Sequence, residues 1–493
     1  MKNTLRLGIS FCILLTITAC MIFSSPPKAT SPAGFTAAAP VFTLPTSATA
    51  LPAASPEPTA TPLPPTVTPT PEPSPTPTPV GWGSLSILNS YVFKDNWGDY
   101  QIVGMIYNGT EKAVSEIEIS AVATGTDGKS VLQDWGNPVD IKVVEPLLDI
   151  IPAGGYSPFS VVVQGGKPDQ FSLEITAKRN TDFVPVTLLV EHTRLIQDDN
   201  GNFFLSGELV NPTNEHVRVD DIALAVLDKN GEVRAAAETY FYPSELYPAG
   251  DPDGLDRAPF STQIYGPFKT FKDMGVYVQA AVGTYGENAD FDISLVYSYV
   301  DDFMEMPHYI GQVTNNTEEI SSPRLLISLF DENGNVLMAY EEAAAPFTEP
   351  GKSGYFDLSN FTAFTMIKDL AEQIKDVRIQ VDPGDIYHYS KLSPLKVNGT
   401  KLTKEGNSWQ EEMNSWHFSG TITNTTDHPI YSGDVYVEIY DANKNLVGFG
   451  SAYAGSASEV MVGGVISYDV YVSIDPALDG KTLTYKIFAQ RVD

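Results

Sequence analysis

The sequence predicts an all-β chain, a tandem array of four antiparallel Greek-key β-sandwich domains that follows a disordered Pro-rich linker. Three observations carry this expectation. A motif Gly-x-x-x-Asn-x-Thr occurs at 104–110, 207–213, 311–317 and 420–426, its glycines 103, 104 and 109 residues apart. After each copy come short segments alternating apolar and polar residues, broken by Asn/Gly turns, as in a sandwich. Ahead of them, 17 of the 37 prolines lie between Pro26 and Pro79.

The N-terminus reads as a targeting segment. Lys2 and Arg6 precede a mostly apolar run from Leu7 to Ile17, and Ile17-Thr18-Ala19-Cys20 resembles the bacterial lipobox. That resemblance implies a signal peptide over 1–19 and lipidation of Cys20. The alternative is an uncleaved anchor, since Leu7 to Phe23 spans 17 residues, the short end of the ~17–25 that cross a bilayer. Either way the expected partner at this end is membrane lipid, through Cys20 or through the apolar segment, and the body is held outside the membrane.

Residues 20–81 are the linker. Proline interleaved with Thr, Ser and Ala offers little to bury, so extended, polyproline-like spacer chain is expected. The body is expected to divide into repeats at 82–181, 182–285, 286–388 and 389–493. The chain's only cysteines, Cys12 and Cys20, belong to the targeting segment. With no disulfide to help, each repeat is expected to hold itself together by core burial, as beads on a string.

Each motif reads as a strand running into a turn. Positions two before and two after the glycine are Ile102 and Ile106, Leu205 and Leu209, Tyr309 and Val313, Phe418 and Ile422, an apolar face at period two. The other face reads as wetter, with Ser206, Glu208, Gln312, Thr314, Ser419, Thr421 and Thr423. Gly104, Gly207, Gly311 and Gly420 are expected to make room for a bulky residue of the facing sheet. Asn108, Asn211, Asn315 and Asn424, with the following threonines, are expected to end the strand in a side-chain-bonded turn. Read instead as glycosylation sequons they would be surface sites, but Pro212 blocks one of them.

A second strand follows, through Ile119, Val226, Leu329 and Ile439, leading into turns at Asp228-Lys-Asn-Gly, Asp331-Glu-Asn-Gly and Asp441-Ala-Asn-Lys. The first repeat departs, with Gly125 in the register of these aspartates. Later turns precede strands bearing Phe159, Phe260, Phe356 and Tyr468, and closing strands end each copy. Helix is expected only from Met366 to Lys375.

The strand that ends in an aromatic or Leu before Asp, at Leu329-Phe330-Asp331, Ile439-Tyr440-Asp441 and less closely Val226-Leu227-Asp228, resembles the FxLYD-type domain. This is an immunoglobulin-like module of bacterial and archaeal secreted proteins and lipoproteins. The resemblance covers about 83–493 and implies an immunoglobulin-like fold and an extracytoplasmic address. It implies no catalytic residues.

Chemistry-bearing motifs are sparse. Asp331, Asn333, Asn335 and Glu342 superficially track a calcium loop, but the glycine is misplaced and strands flank it, so a hairpin turn is the better reading. The acidic knot Asp251, Asp253 and Asp256 is a weak candidate for a surface cation. Ser393 and Lys396 have serine-lysine spacing, but in a strand setting with Pro394 between them. The six histidines are scattered singly. Residues 83–493 hold 27 Lys plus Arg against 59 Asp plus Glu, a net charge of −32. Such a surface repels nucleic acid; it reads as solubility or as divalent-ion binding between domains.

The candidate binding loop is Tyr240-Phe-Tyr242-Pro-Ser-Glu-Leu-Tyr247, where clustered aromatics and carboxylates would stack on a sugar or grip a peptide. The competing reading puts those aromatics in the core. The function expected is a membrane-anchored, extracytoplasmic, non-catalytic interaction or display protein, with no cofactor and with a surface protein or glycan as partner. The alternatives are an accessory subunit of an envelope or transport assembly, and a passive surface stalk. A hydrolase would need a domain of another composition, and no stretch of 83–493 escapes the repeat.

Overall fold

The computed structural model describes residues 85–179, 183–197, 202–239, 241–264, 273–286, 289–301, 306–343, 346–358, 370–403 and 415–492. The targeting segment with Cys20, the Pro-rich linker and Tyr240 lie outside the described residues. What is described is four antiparallel, immunoglobulin-like sandwiches in tandem. The helix expected near Met366 is a single turn, Leu370–Gln373; residues 366–369 lie outside the described residues.

The motif strand is the centre of one sheet in every repeat. Tyr100–Asn108, Phe203–Val210, Pro307–Asn315 and Ser415–Thr423 each pair with the strand before them and with the later aromatic-bearing strand. The opposing sheet centres on Val114–Thr124, Val217–Leu227, Ile320–Phe330 and Ile430–Tyr440. Each of these pairs with the closing strand of its repeat. On the other side of these centres lie Val233–Glu238, Val336–Ala343 and Leu446–Val460, the strands that follow the Asp-x-Asn turns. The first repeat, lacking that aspartate, has the short Lys142–Val144 there instead.

Gly and aromatic are direct partners across the strand pair. The registers Gly104↔Phe159, Gly207↔Phe260, Gly311↔Phe356 and Gly420↔Tyr468 recur in all four copies. A Cβ on Gly207 would lie 2.8 Å from Cζ of Phe260, and one on Gly420 would lie 2.7 Å from the Tyr468 hydroxyl oxygen. The expected bulky neighbour therefore comes from the adjacent strand of the same sheet and not from the facing sheet. Each first strand also shifts register close to this glycine, at 87–89, 191–194, 295–297 and 398–401, so a bulge meets the side that has no Cβ.

The motif asparagines are clasps. Asn315 Nδ2 donates to the carbonyls of Glu319 and Thr348, both at 2.8 Å, while its Oδ1 accepts from the Thr317 amide at 2.9 Å and hydroxyl at 2.7 Å. Asn108, Asn211 and Asn424 repeat the pattern with Ile151, Tyr247 and Val460 as the distant acceptors. One side chain thus closes its own turn and ties it to the loop entering the aromatic strand. All four are 0–1 % exposed, so none is a glycosylation surface.

The beads-on-a-string expectation fails. Val103 and Met105 of the first repeat, Val233 and Ala235 of the second, and Val336 and Ala339 of the third belong to one buried apolar cluster. One interface recurs: the outer face of each motif sheet packs against the strand after the Asp-x-Asn turn of the next repeat. Ser206 and Glu208, read as a wet face, are fully buried by this contact. Ser206 Oγ donates to the Val336 carbonyl at 2.5 Å, and Ser261 donates to that of Ala339. In the third repeat Ile310 packs with Leu446 and Phe449 of the fourth.

Both ends of the array depart from this scheme. The fourth motif sheet turns His417, Ser419 and Thr421 outward, with His417 stacked on Tyr471 at 4.4 Å and paired with Asp469 at 2.7 Å. In the first repeat the receiving position holds only the short Lys142–Val144 among the described residues. Polar or altered terminal units are how repeat arrays stop growing.

Candidate functional site

The aromatic loop and the acidic knot converge at the junction of the second and third repeats. Phe241 and Leu246 are core residues, and Tyr242 packs against the same cluster. The Tyr242 hydroxyl donates to the Asp220 carbonyl at 2.8 Å. Burial holds its phenol well above the ordinary range, with Asp221 and Glu238 adding to the rise. Tyr247 is half-buried, edge-on to His216 at 4.6 Å. Its hydroxyl is also shifted upward, first by burial and then by the charges of Glu245, Asp251 and Asp253. The geometry makes this loop a joint between repeats, and the open aromatic platform expected of it does not form among the described residues.

In the acidic knot, carboxylates hold the turn. Asp251 Oδ2 accepts from the amides of Asp253 at 3.1 Å and Leu255 at 3.0 Å, and Asp256 Oδ2 accepts from that of Gly250 at 2.9 Å. Asp331 behaves likewise, bonding the amides of Asn333 at 2.8 Å and Asn335 at 2.9 Å. Burial pushes its carboxyl up, but the bonds from Asn335 and Asn333 and the charge of Arg194 outweigh this and leave it below the ordinary value. These aspartates are consumed as hairpin caps. Among the described residues no group of three or more His, Cys, Asp or Glu is placed to hold a metal ion.

Polar side chains of the third repeat reach across the junction. The buried Glu208 meets His192 at 2.5 Å, Arg378 at 2.5 Å and Arg257 at 3.7 Å. Asp382, fully buried, accepts from the Ser244 amide and, at 2.9 Å, from its hydroxyl, and lies 3.4 Å from Arg324. Burial raises the Asp382 carboxyl above its ordinary value despite Arg324 and Ser244. Gln380 Nε2 donates to the carbonyls of Gly254 at 2.9 Å and Arg257 at 3.0 Å.

Beside Gln380 opens a cleft of about 430 Å³, lined by Asp253 of the acidic knot, by Asp290, Phe291 and Asp292 at the start of the third repeat, and by Ile379. Asn316 Nδ2 donates to Asp290 at 3.3 Å and to Asp292 at 3.0 Å. Residues Asp290, Arg378 and Gln380 carried no sequence signal of their own. They come together only through packing of one repeat on the next.

Elsewhere, each of the six histidines sits beside a carboxylate. The most enclosed is His308, 3.2 Å from Asp357 and 3.6 Å from Asp301, with Tyr299 stacked on it at 4.4 Å. Burial alone would lower its pKa, but the two aspartates raise it to about 9. Ser393 and Lys396 share one strand, Leu392–Thr403, where residues three apart face opposite ways.

Comparison with known proteins finds no matching family model and no matching curated protein. Among solved structures a similar chain is the recombinant pro-11S globulin of pumpkin, 11% identical over 63% of this chain and 84% of that one, with a TM-score of 0.08. Likeness at that level carries no argument.

Proposed function

We propose that this chain is a membrane-anchored, extracytoplasmic interaction or display protein without catalytic activity. The observation that carries the reading is that the repeated residues are spent on architecture: the four glycines seat aromatics and the four asparagines clasp loops. Recognition on such a rigid scaffold is usually carried by its loops. Anchoring rests on the lipobox-like Ile17-Thr18-Ala19-Cys20. Among the described residues no helix is long and apolar enough to cross a membrane.

The test is affinity capture from detergent-solubilised envelope with the full chain as bait, run with calcium and with chelator. Specific retention of a protein or glycan supports the reading. Turnover of a substrate by the purified chain, or no retention in either condition, contradicts it.

A further inference from the structure

The fourth motif sheet keeps open a group of side chains that the third buries in its contact with the next repeat. His308 and His417 each stand three residues before the motif glycine, and Asp357 and Asp469 each follow its aromatic partner. His308 lies 3.2 Å from Asp357, and His417 lies 2.7 Å from Asp469. A tyrosine from a neighbouring strand stacks on each histidine at 4.4 Å, Tyr299 from one side and Tyr471 from the other. In the third repeat the group is covered: His308 is 1 % exposed, and Tyr299 and Ile310 pack with Tyr436, Leu446 and Phe449 of the fourth. In the fourth repeat Tyr471 is 43 % exposed, and Val465 is exposed further along the same face. Polar character does not bar a contact here, since the second motif sheet buries Ser206 and Glu208 against the repeat that follows it.

The complementary half is open at the other end of the array. In the receiving strands of the third and fourth repeats, Val336 to Tyr340 and Leu446 to Phe449 are buried on both faces, one over their own core and one under the preceding repeat. In the first repeat Val143 faces Ser120 at the register where Glu238 faces Ala223 in the second. Val144 packs on the core of its own sandwich, and Lys142 Nζ donates to the Val162 carbonyl at 3.0 Å. Ile141 and Val143, on the opposite face, are 56 % and 55 % exposed. Among the described residues nothing covers either half.

We propose that the two halves meet between copies of this chain. The strand around Val143 of one copy packs on the fourth motif sheet of another, over His417, Ser419 and Tyr471, as the strand from Leu446 packs on the third. The occupant follows from continuity with a contact that the chain already makes at each junction between its repeats. Because the two surfaces differ, the association is head-to-tail and adds copies in a row, where a two-fold dimer would need one self-complementary patch. Both end units are altered and each copy carries a net charge of −31, so the contact is weak and strengthens as salt screens the repulsion.

The test uses the full chain in mild detergent with Cys12 and Cys20 replaced by serine. Chains carrying Val143→Cys are mixed with chains carrying Tyr471→Cys and joined by a short bismaleimide. The mixed pair is expected in excess of either like pair, and more of it at higher ionic strength. In light scattering, Val143→Asp and Tyr471→Asp should each weaken self-association about tenfold, while an equimolar mixture of the two forms pairs and nothing longer. Both positions are exposed, and unfolding midpoints confirm that each variant is folded. Like pairs as abundant as mixed ones, a monomer at every salt concentration, or association unchanged by both aspartates would overturn the proposal. So would a monomeric chain whose capture of an envelope protein is lost in Tyr471→Asp, which assigns the face to another partner. Self-association and envelope capture are separate readings, so the failure of one is told apart from the failure of the other.

Discussion

Phe260 covers Gly207: the two residues face each other in register across adjacent strands, and the ring occupies the space where a Cβ would stand. Gly207→Ala must therefore displace a fully buried ring. Overpacking of this kind costs about 1–3 kcal/mol, read as a lower denaturation midpoint. Replacing Phe260 with Leu in the same chain should recover part of the loss.

The clasp predicts a cost of a different origin. Asn315→Ala removes two donors and one acceptor at a buried position: the carbonyls of Glu319 and Thr348 each lose one of their donors, and the Thr317 amide loses its acceptor. The expected destabilisation is about 2–4 kcal/mol, measured by chemical denaturation. Asn315→Asp should not rescue it, since a carboxylate cannot donate to those carbonyls.

Motif and clasp were legible in the sequence because both are local: period-two apolar residues, a glycine, and an Asn two residues before a Thr. The strand order followed from turn residues such as Asp228, Asp331 and Asp441. What escaped was everything decided between repeats. Val103 and Met105 make the outer face of the first motif strand apolar, a signal that its wetter copies at Ser206 and Glu208 masked. Glu208 is itself buried because Arg378, 170 residues away, reaches it, and no local pattern encodes such a partner. The aromatic loop admitted both a recognition and a core reading because Tyr242 was read without the third repeat, whose Arg324 donates to its carbonyl.

His308 gives the chain a pH dependence with a defined sign. Its folded pKa of about 9 stands above the ordinary 6.5, so the protonated form is favoured by folding. The stability it contributes is fully present below about pH 6.5 and is lost as pH rises through about 9. Denaturation midpoints should fall across that window in the native chain. His308→Gln should flatten the fall, and the His308 ring resonance should titrate near the top of it.

Glu208 couples the second and third repeats. Glu208→Ala leaves Arg378 and Arg257 without their shared carboxylate, and because both arginines are partly exposed the expected loss is about 1–3 kcal/mol. Unfolding of these two repeats should then separate into two transitions where the native chain shows one.

The junction, the cleft and the shared core all require the second and third repeats to be held in one arrangement in solution. Pulsed electron paramagnetic resonance between spin labels at Lys229→Cys and Lys352→Cys, both exposed and one in each repeat, measures this directly in a chain whose Cys12 and Cys20 are replaced. A single narrow distance distribution is expected. A broad one, as from domains swinging on a free hinge, would contradict the packed array and remove the cleft with it.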